Sequence, residues 1–360
     1  MPLPTPARKP ARILGAAAAL ALLSCSALAG TAFASPSAED HSNSGQESFT
    51  FGVIGDVPYG ADQVEDFPEM VSELNQVDEL RFITHVGDIK AGSAQCTDEY
   101  FAAIKAQFDR FEAPLVYTPG DNEWVDCHRV NNGSYNPLER LDALRELFFS
   151  EPGKTLGGNM PVKSEVTAGL PENVTFTQQR VAFSVVNVQG SNNSLLPWSG
   201  LGLTEPTAEQ FAEVQARTAV DVAQLERTFA DARKSNARAV VVMTQADMFD
   251  PYMLSQGVTE NPELVSGFRP IVDAIAEGSR QFGGQVYLFN GDSHIYNDDS
   301  PLAEGSPWLN VYGQESLDNL RRVTVEGAAT SNEWLRVSVQ PNADSSGGLL
   351  SWERVPYSAN

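Results

Sequence analysis

Four Gly-Asp dipeptides, at 55–56, 87–88, 120–121 and 291–292, are the places in this 360-residue chain where residue type and spacing suggest chemistry. Composition alone would give about two, so the count is a weak signal. Placement is the stronger one. Each dipeptide directly follows a short apolar run, at 49–54, 82–86, 115–118 and 285–290. In open α/β sheets, ligands bind at the carboxyl ends of the strands. Glycine there lets the backbone turn sharply and lets a bound group come close. Asp56, Asp88, Asp121 and Asp292 then converge on one sheet edge. Converging carboxylates repel unless a cation neutralises them. A divalent metal site resolves this, and two ions fit better than one. His294, two residues beyond Asp292, adds an imidazole suited to Mn, Fe or Zn.

The elements that must position these residues alternate in type. Helical patterns at 62–80, 98–111 and 137–149 follow the first three apolar runs in turn. Residues 150–172 read as a long loop, and 173–188 as two strands with a turn near Gln178 to Arg180. A helix at 206–235 reads as an amphipathic cover with its charges on a solvated face, acidic early and basic late. A buried strand at 239–244, a helix at 261–279 and a strand from 285 follow, and then β character at 308–312, 320–326, 333–340 and 350–355. Alternating strands and helices imply largely parallel pairing, and the later hairpins imply mixed sheets. The expected fold is α/β: two packed mixed β-sheets flanked by helices, in one domain over 49–356.

Composition excludes some functions. The chain carries 24 Lys plus Arg against 47 Asp plus Glu, a net charge of −23. No basic excess exists to neutralise phosphates, so nucleic-acid binding is not expected. Residues 1–34 carry Arg8, Lys9 and Arg12, an apolar stretch and Ala32-Phe33-Ala34, the order of a secretion signal. The apolar stretch is short for a membrane span, and no transmembrane segment is expected in the mature chain. The lipobox-like Leu22-Leu23-Ser24-Cys25 offers a second route, lipid anchoring through Cys25. Both place the protein outside the cytoplasm, secreted or in the periplasm or cell envelope. Residues 35–48 read as a flexible polar leader. Loss of residues 1–34, which hold three basic and no acidic residues, takes the charge from −23 to −26. Cys96 and Cys127 remain, as a disulfide or as two buried thiols; an oxidising compartment favours the disulfide.

The order and spacing of these motifs resemble the calcineurin-like metallophosphoesterases, which include purple acid phosphatases, phosphodiesterases and 5′-nucleotidases. The resemblance runs from about Phe49 to His294. It implies a four-layer βαβ sandwich and two divalent metal ions. Carried over by position, Asp56 ligates the first ion and Asp88 bridges both. Pro119-Gly120-Asp121-Asn122-Glu123 aligns with Gly-Asn-His-Glu, so Asp121 takes a ligand position. Asn122 then falls where many members have a histidine that assists the leaving group; a slip of one residue would make Asn122 the ligand instead. Gln245 stands where a ligating His follows a strand, and Gly291-Asp292-Ser293-His294 matches Gly-His-x-His.

The departures are specific. The opening Asp-x-His reads Asp56-Val57-Pro58, and Tyr59 either faces the site or packs. Asparagine cannot act as a general acid. Oxygen donors have replaced imidazoles, which favours Mn, Mg, Fe or Ca over Zn. A Cys96–Cys127 disulfide would hold Asp126-Cys127-His128-Arg129 near the ions. His128 is then either a substitute acid or a polar loop residue, and Arg129 either a phosphate contact or the same. Lys90 reads first as a solvated loop residue and second as a phosphate contact. His85 reads as packed. The resemblance implies an exported phosphoesterase that hydrolyses small phosphate mono- or diesters, with a metal-bound hydroxide attacking in line. The alternative is a non-catalytic relative with a structural metal or a partner-binding role.

Overall fold

The computed structural model describes residues 48–342 and 348–358. The signal 1–34 with Cys25, and all of the leader 35–48 except Ser48, lie outside the described residues. In chain order the strands are β1 (Phe49–Ile54), β2 (Leu80–His85), β3 (Pro114–Tyr117), β4 (Leu156–Gly157), β5 (Lys163–Glu165), β6 (Leu170–Gln178), β7 (Val181–Val185), β8 (Ala239–Met243), β9 (Gln285–Asn290), β10 (Asn297–Asp299), β11 (Leu320–Thr324), β12 (Glu333–Val339) and β13 (Leu350–Pro356).

They form two sheets. One has six strands in the order β13-β12-β1-β2-β3-β4, the other seven in the order β10-β11-β9-β8-β7-β6-β5. Pairing is parallel across β1-β2-β3 and across β7-β8-β9-β11, and antiparallel at the edges, so both sheets are mixed. Their inner faces share a core built from alternate strand residues, including Phe51, Val53, Phe183, Val241, Phe289 and Val337. Phe51 stacks on Phe82 at 4.9 Å and meets Phe183 edge-on at 5.6 Å.

Helices cover both outer faces. Gly60–Leu74 buries Phe67, Met70, Val71 and Leu74, the spacing of one helical face, and packs with Asp98–Phe108 and Pro137–Phe148 on the first sheet. Asn136 caps the last of these, its side chain accepting the Leu138 N–H at 2.9 Å, with Pro137 at the first helical position. Ala208–Lys234 and Arg269–Phe282 cover the second sheet. This is the expected α/β sandwich.

Three local expectations change. Residues 308–312 form a short helix, not a strand, because Trp308, Val311 and Tyr312 are buried at helical spacing. Residues 150–172 hold β4, β5 and the start of β6. The inner face of the long helix is mixed, with Val214, Leu225, Phe229 and Ala232 apolar and other buried positions polar. Gln210, Arg217, Asp221 and Gln224 are buried there; Asp221 accepts the Asn173 amide, and the other three donate to backbone carbonyls. Arg217 Nη1 donates to the Asn187 carbonyl at 2.9 Å, and Gln224 Nε2 to that of Val185 at 2.9 Å.

Candidate metal centre

Parallel pairing puts the carboxyl ends of β1, β2, β3, β7, β8 and β9 at one edge, and the Gly-Asp turns stand there. Backbone bonds lock them together: Asp56 N–H to the Gly87 carbonyl at 3.0 Å, and Gly291 N–H to that of Gln245 at 2.9 Å. Gly87 is at φ 94°, and a Cβ there would lie 2.7 Å from the Gln245 Cβ, so only glycine lets the two sheets' turns approach this closely. Asp56, Asp88, Asp292 and His294 have φ of 52°, 59°, 74° and 62°. Left-handed backbone at a residue with a Cβ costs on the order of 1 kcal/mol, and such residues concentrate at functional sites.

The carboxylates converge in two groups that share one member. Donor atoms of Asp56, Asp88 and His294 lie within 4.8 Å of one another, as do those of Asp88, Asp121 and Asp292. Asp88 belongs to both. Asp56 is fully buried and accepts the Asp292 N–H at 3.1 and 3.2 Å. His294 Nε2 stands 3.4 Å from Asp56 Oδ1. Asp121 accepts the Ser191 hydroxyl at 3.0 Å, and Asp292 the Asp247 N–H at 3.3 Å. Tyr59 faces the site: its hydroxyl donates to Asp88 Oδ2 at 2.9 Å, lies 3.2 Å from His294 Nε2, and accepts Asn122 Nδ2 at 2.6 Å.

Burial and mutual repulsion hold these acids partly protonated. Burial, then the Glu123 charge, pushes Asp88 up to about 7. Burial, then Asp88, pushes Asp121 up to about 7. Asp56 and Asp292 are raised well above the usual carboxylate range, by burial first and by the neighbouring aspartates next. Burial lowers His294, keeping the imidazole neutral with a lone pair to offer. Four acids and a neutral imidazole facing inward are a donor set that suits a divalent cation.

Other expected residues fall as follows. Gln245 is fully buried between the turns, with its amide nitrogen 3.1 Å from Asp88 Oδ2 and 3.4 Å from Asp121 Oδ1. Asn122 turns its amide nitrogen to Tyr59, and its backbone N–H bonds Asp88 at 3.1 Å. Arg129 is half-exposed and pairs with Asp126 at 2.6 Å. A Cβ on Gly92 would meet both Asn122 Oδ1 and Arg129 Nη1, so the guanidinium reaches the rim beside Asn122. His128 packs on the turn Ser199–Leu201, where its Nδ1 accepts the Gly200 N–H at 3.1 Å. No hydrogen bond or ion pair joins it to the four aspartates among the described residues. His85 is buried, with Nε2 2.8 Å from the Val57 carbonyl.

Cys96 and Cys127 form a disulfide that is fully buried, and both sulfurs lie against the Asn122 carbonyl at 3.6 and 3.7 Å. Lys90 is not solvated. It is fully buried and donates to the same Asn122 carbonyl at 2.7 Å, which leaves it no reach to a substrate. Burial pulls its ammonium down to about 8, and the charges of Glu123, Asp126, Asp88 and Asp121 around it oppose that fall.

Glu123, given no role from sequence, is the keystone of the turns. Its Oε1 accepts the N–H groups of Asp88 and Gly120 at 3.1 and 2.6 Å and the Tyr117 hydroxyl at 2.8 Å. Its place after Gly120-Asp121-Asn122 was the available signal. The segment Ser191–Ser194 was not legible. All four residues are left-handed, at φ 55°, 52°, 57° and 68°, and Asn193 is held by Arg217. Gly190 begins it, and a Cβ there would lie 2.6 Å from Asp121 and 2.7 Å from Asp292.

No protein-family model and no curated sequence matches the chain. Solved structures do. A dimetal phosphatase from Danio rerio is 13% identical, covering 86% of this chain and 99% of that one, with a TM-score of 0.47. The anchor in the inner membrane complex of Plasmodium is 8% identical over 86% and 89%, at 0.46. A purple acid phosphatase from yellow lupin seeds is 11% identical over 86% and 54%, at 0.42. At this identity these are likenesses of fold.

Proposed function

We propose that the chain is a divergent calcineurin-like metallophosphoesterase, exported, that hydrolyses small phosphate esters at the strand-end aspartates. The observation that carries this reading is the pair of donor groups sharing Asp88. One position would be held by Asp56, Asp88 and His294, the other by Asp88, Asp121 and Asp292. Bound divalent ions there supply Lewis acidity and neutralise charge on phosphoryl oxygens. The chain's own residues do the rest. Arg129, at the rim with a guanidinium free to turn to solvent on one side, binds phosphoryl oxygens. Asn122 holds Tyr59, and Tyr59 fixes the orientation of the shared carboxylate. Export fits the residues of the signal region and the disulfide.

One observation favours the non-catalytic alternative: among the described residues no hydrogen bond or ion pair joins His128 to the aspartates, and the one imidazole that stands there, His294, is needed as a ligand. Aryl phosphate esters separate the two readings. The purified protein is assayed on a monoester and a diester with Mg, Mn, Ca and Zn in turn, with a chelator blank and Asp88→Asn. Hydrolysis that needs both metal and Asp88 supports the enzyme. A folded protein inactive with every metal points to the non-catalytic role.

A further inference from the structure

The two metal positions differ in the atoms that face them. At the position of Asp56, Asp88 and His294, the fourth group is the Tyr59 hydroxyl, 2.9 Å from Asp88 Oδ2 and 3.2 Å from His294 Nε2. Every one of those side chains offers a lone pair. At the position of Asp88, Asp121 and Asp292, the fourth group is the Gln245 amide, and it presents nitrogen: 3.1 Å to Asp88 and 3.4 Å to Asp121. An amide nitrogen carries two N–H donors and no lone pair to give.

The orientation of this amide is fixed from behind. Gln245 Oε1 accepts the Gly190 N–H at 2.7 Å. Rotation of the amide to bring oxygen forward would set its N–H groups against the Gly190 N–H, donor against donor, in a fully buried place. Room to shift is lacking as well. The Gln245 stem packs against Gly87, where a single added carbon would overlap it, and Gly190 is pressed onto Asp121 and Asp292. The two N–H groups occupy the place of a cation between Asp88 and Asp121.

We infer that Gln245 is a positioning donor and not a ligand, and that it makes the two sites unequal: one divalent ion binds tightly at Asp56, Asp88 and His294, and a second binds weakly at Asp88, Asp121 and Asp292. This rests on the metal centre proposed above, but not on turnover. Entry of the second ion must break the charge-assisted bonds from Gln245 to the two aspartates. That loss corresponds to roughly ten- to a hundredfold in affinity.

Manganese alone is the probe, titrated into the purified, metal-stripped protein by calorimetry and by electron paramagnetic resonance. The expected result is one tight ion per chain with an uncoupled six-line signal, and a second at least about tenfold weaker. Gln245→His supplies a lone pair at this position, and Gln245→Ala removes the competing donors; both are expected to tighten the second ion, and His to produce a coupled pair. Two ions of matched affinity in the unaltered protein overturn the inference and leave the enzyme reading standing. So does a second ion that neither variant tightens. One tight ion without hydrolysis of phosphate esters supports the inference and removes the enzyme reading. No tight ion removes both.

Discussion

Metal removal is expected to make the protein lose stability as pH rises, and the structure sets the size of the effect. Asp88 and Asp121 each stand near 7 in the folded chain, against an ordinary 3.8. A carboxyl whose pKa is raised by folding favours the neutral acid in the folded state. Its contribution is complete below the unfolded pKa and is lost as pH climbs through the folded one. Between pH 5 and 7 each group gives up about two pKa units, or about 3 kcal/mol. Because the two acids repel one another, the pair is expected to give up about 3 kcal/mol rather than twice that. In a chain of this length that is roughly 4 °C in Tm. His85 opposes the trend, since burial lowers it to about 4 and its neutral form gains stability as pH rises toward 6.5. Burial also raises Asp221, to about 8, and its neighbours there are Arg217, Asn173, Glu172 and Glu213, none of them in the cluster. Both contribute equally with and without metal, so the difference isolates the cluster. The assay is thermal unfolding from pH 5 to 8, in chelator and in excess manganese. The gap between the two Tm values should widen with pH by roughly 4 °C. A gap that stays constant across this range refutes the reasoning.

Three further outcomes follow from the geometry. Glu123→Ala leaves two buried N–H groups and the Tyr117 hydroxyl without an acceptor and should cost about 4 kcal/mol in urea unfolding, whereas Glu123→Gln, which keeps an acceptor oxygen, should cost less than half of that. Removing the disulfide by Cys96→Ser with Cys127→Ser frees a loop with a separation of 31 residues and should cost about 3–4 kcal/mol by chain entropy, read as a lower urea midpoint. If Arg129 binds the phosphoryl group, Arg129→Ala should raise KM roughly tenfold with a smaller change in kcat, and its half-exposed pair with Asp126 should make the stability cost under about 1 kcal/mol.

The strand-end aspartates were legible because two local rules coincide at them: an apolar run that reads as a strand, and a Gly-Asp that reads as its end. The sandwich followed from the alternation of such runs with helical patterns. What stayed hidden depends on partners far apart in sequence. Gln245 reads as a possible ligand by position, and only the Gly190 N–H, 55 residues away, turns its nitrogen toward the aspartates. Lys90 reads as a surface residue because lysine is rarely buried, and four acids, Asp88 on its own turn and Asp121, Glu123 and Asp126 on the neighbouring one, offset the burial. The helix Ala208–Lys234 reads as an amphipathic cover, but its buried polar residues answer to carbonyls of β6, β7 and the segment after β7 that no helical periodicity reveals. The helix at Trp308–Tyr312 is short, and five apolar-rich residues fit a strand as well as a helical turn.

On the proposed reading the strand-end aspartates hold a divalent cation with Asp88 at its middle. Anomalous diffraction from crystals soaked in manganese tests it most directly. The expected result is a strong anomalous peak bonded by Asp56, Asp88 and His294, and a weaker one, rising with manganese concentration, beside Asp88, Asp121 and Asp292. Diffraction that shows no peak at Asp88 under saturating manganese, with the aspartates ordered, would contradict it.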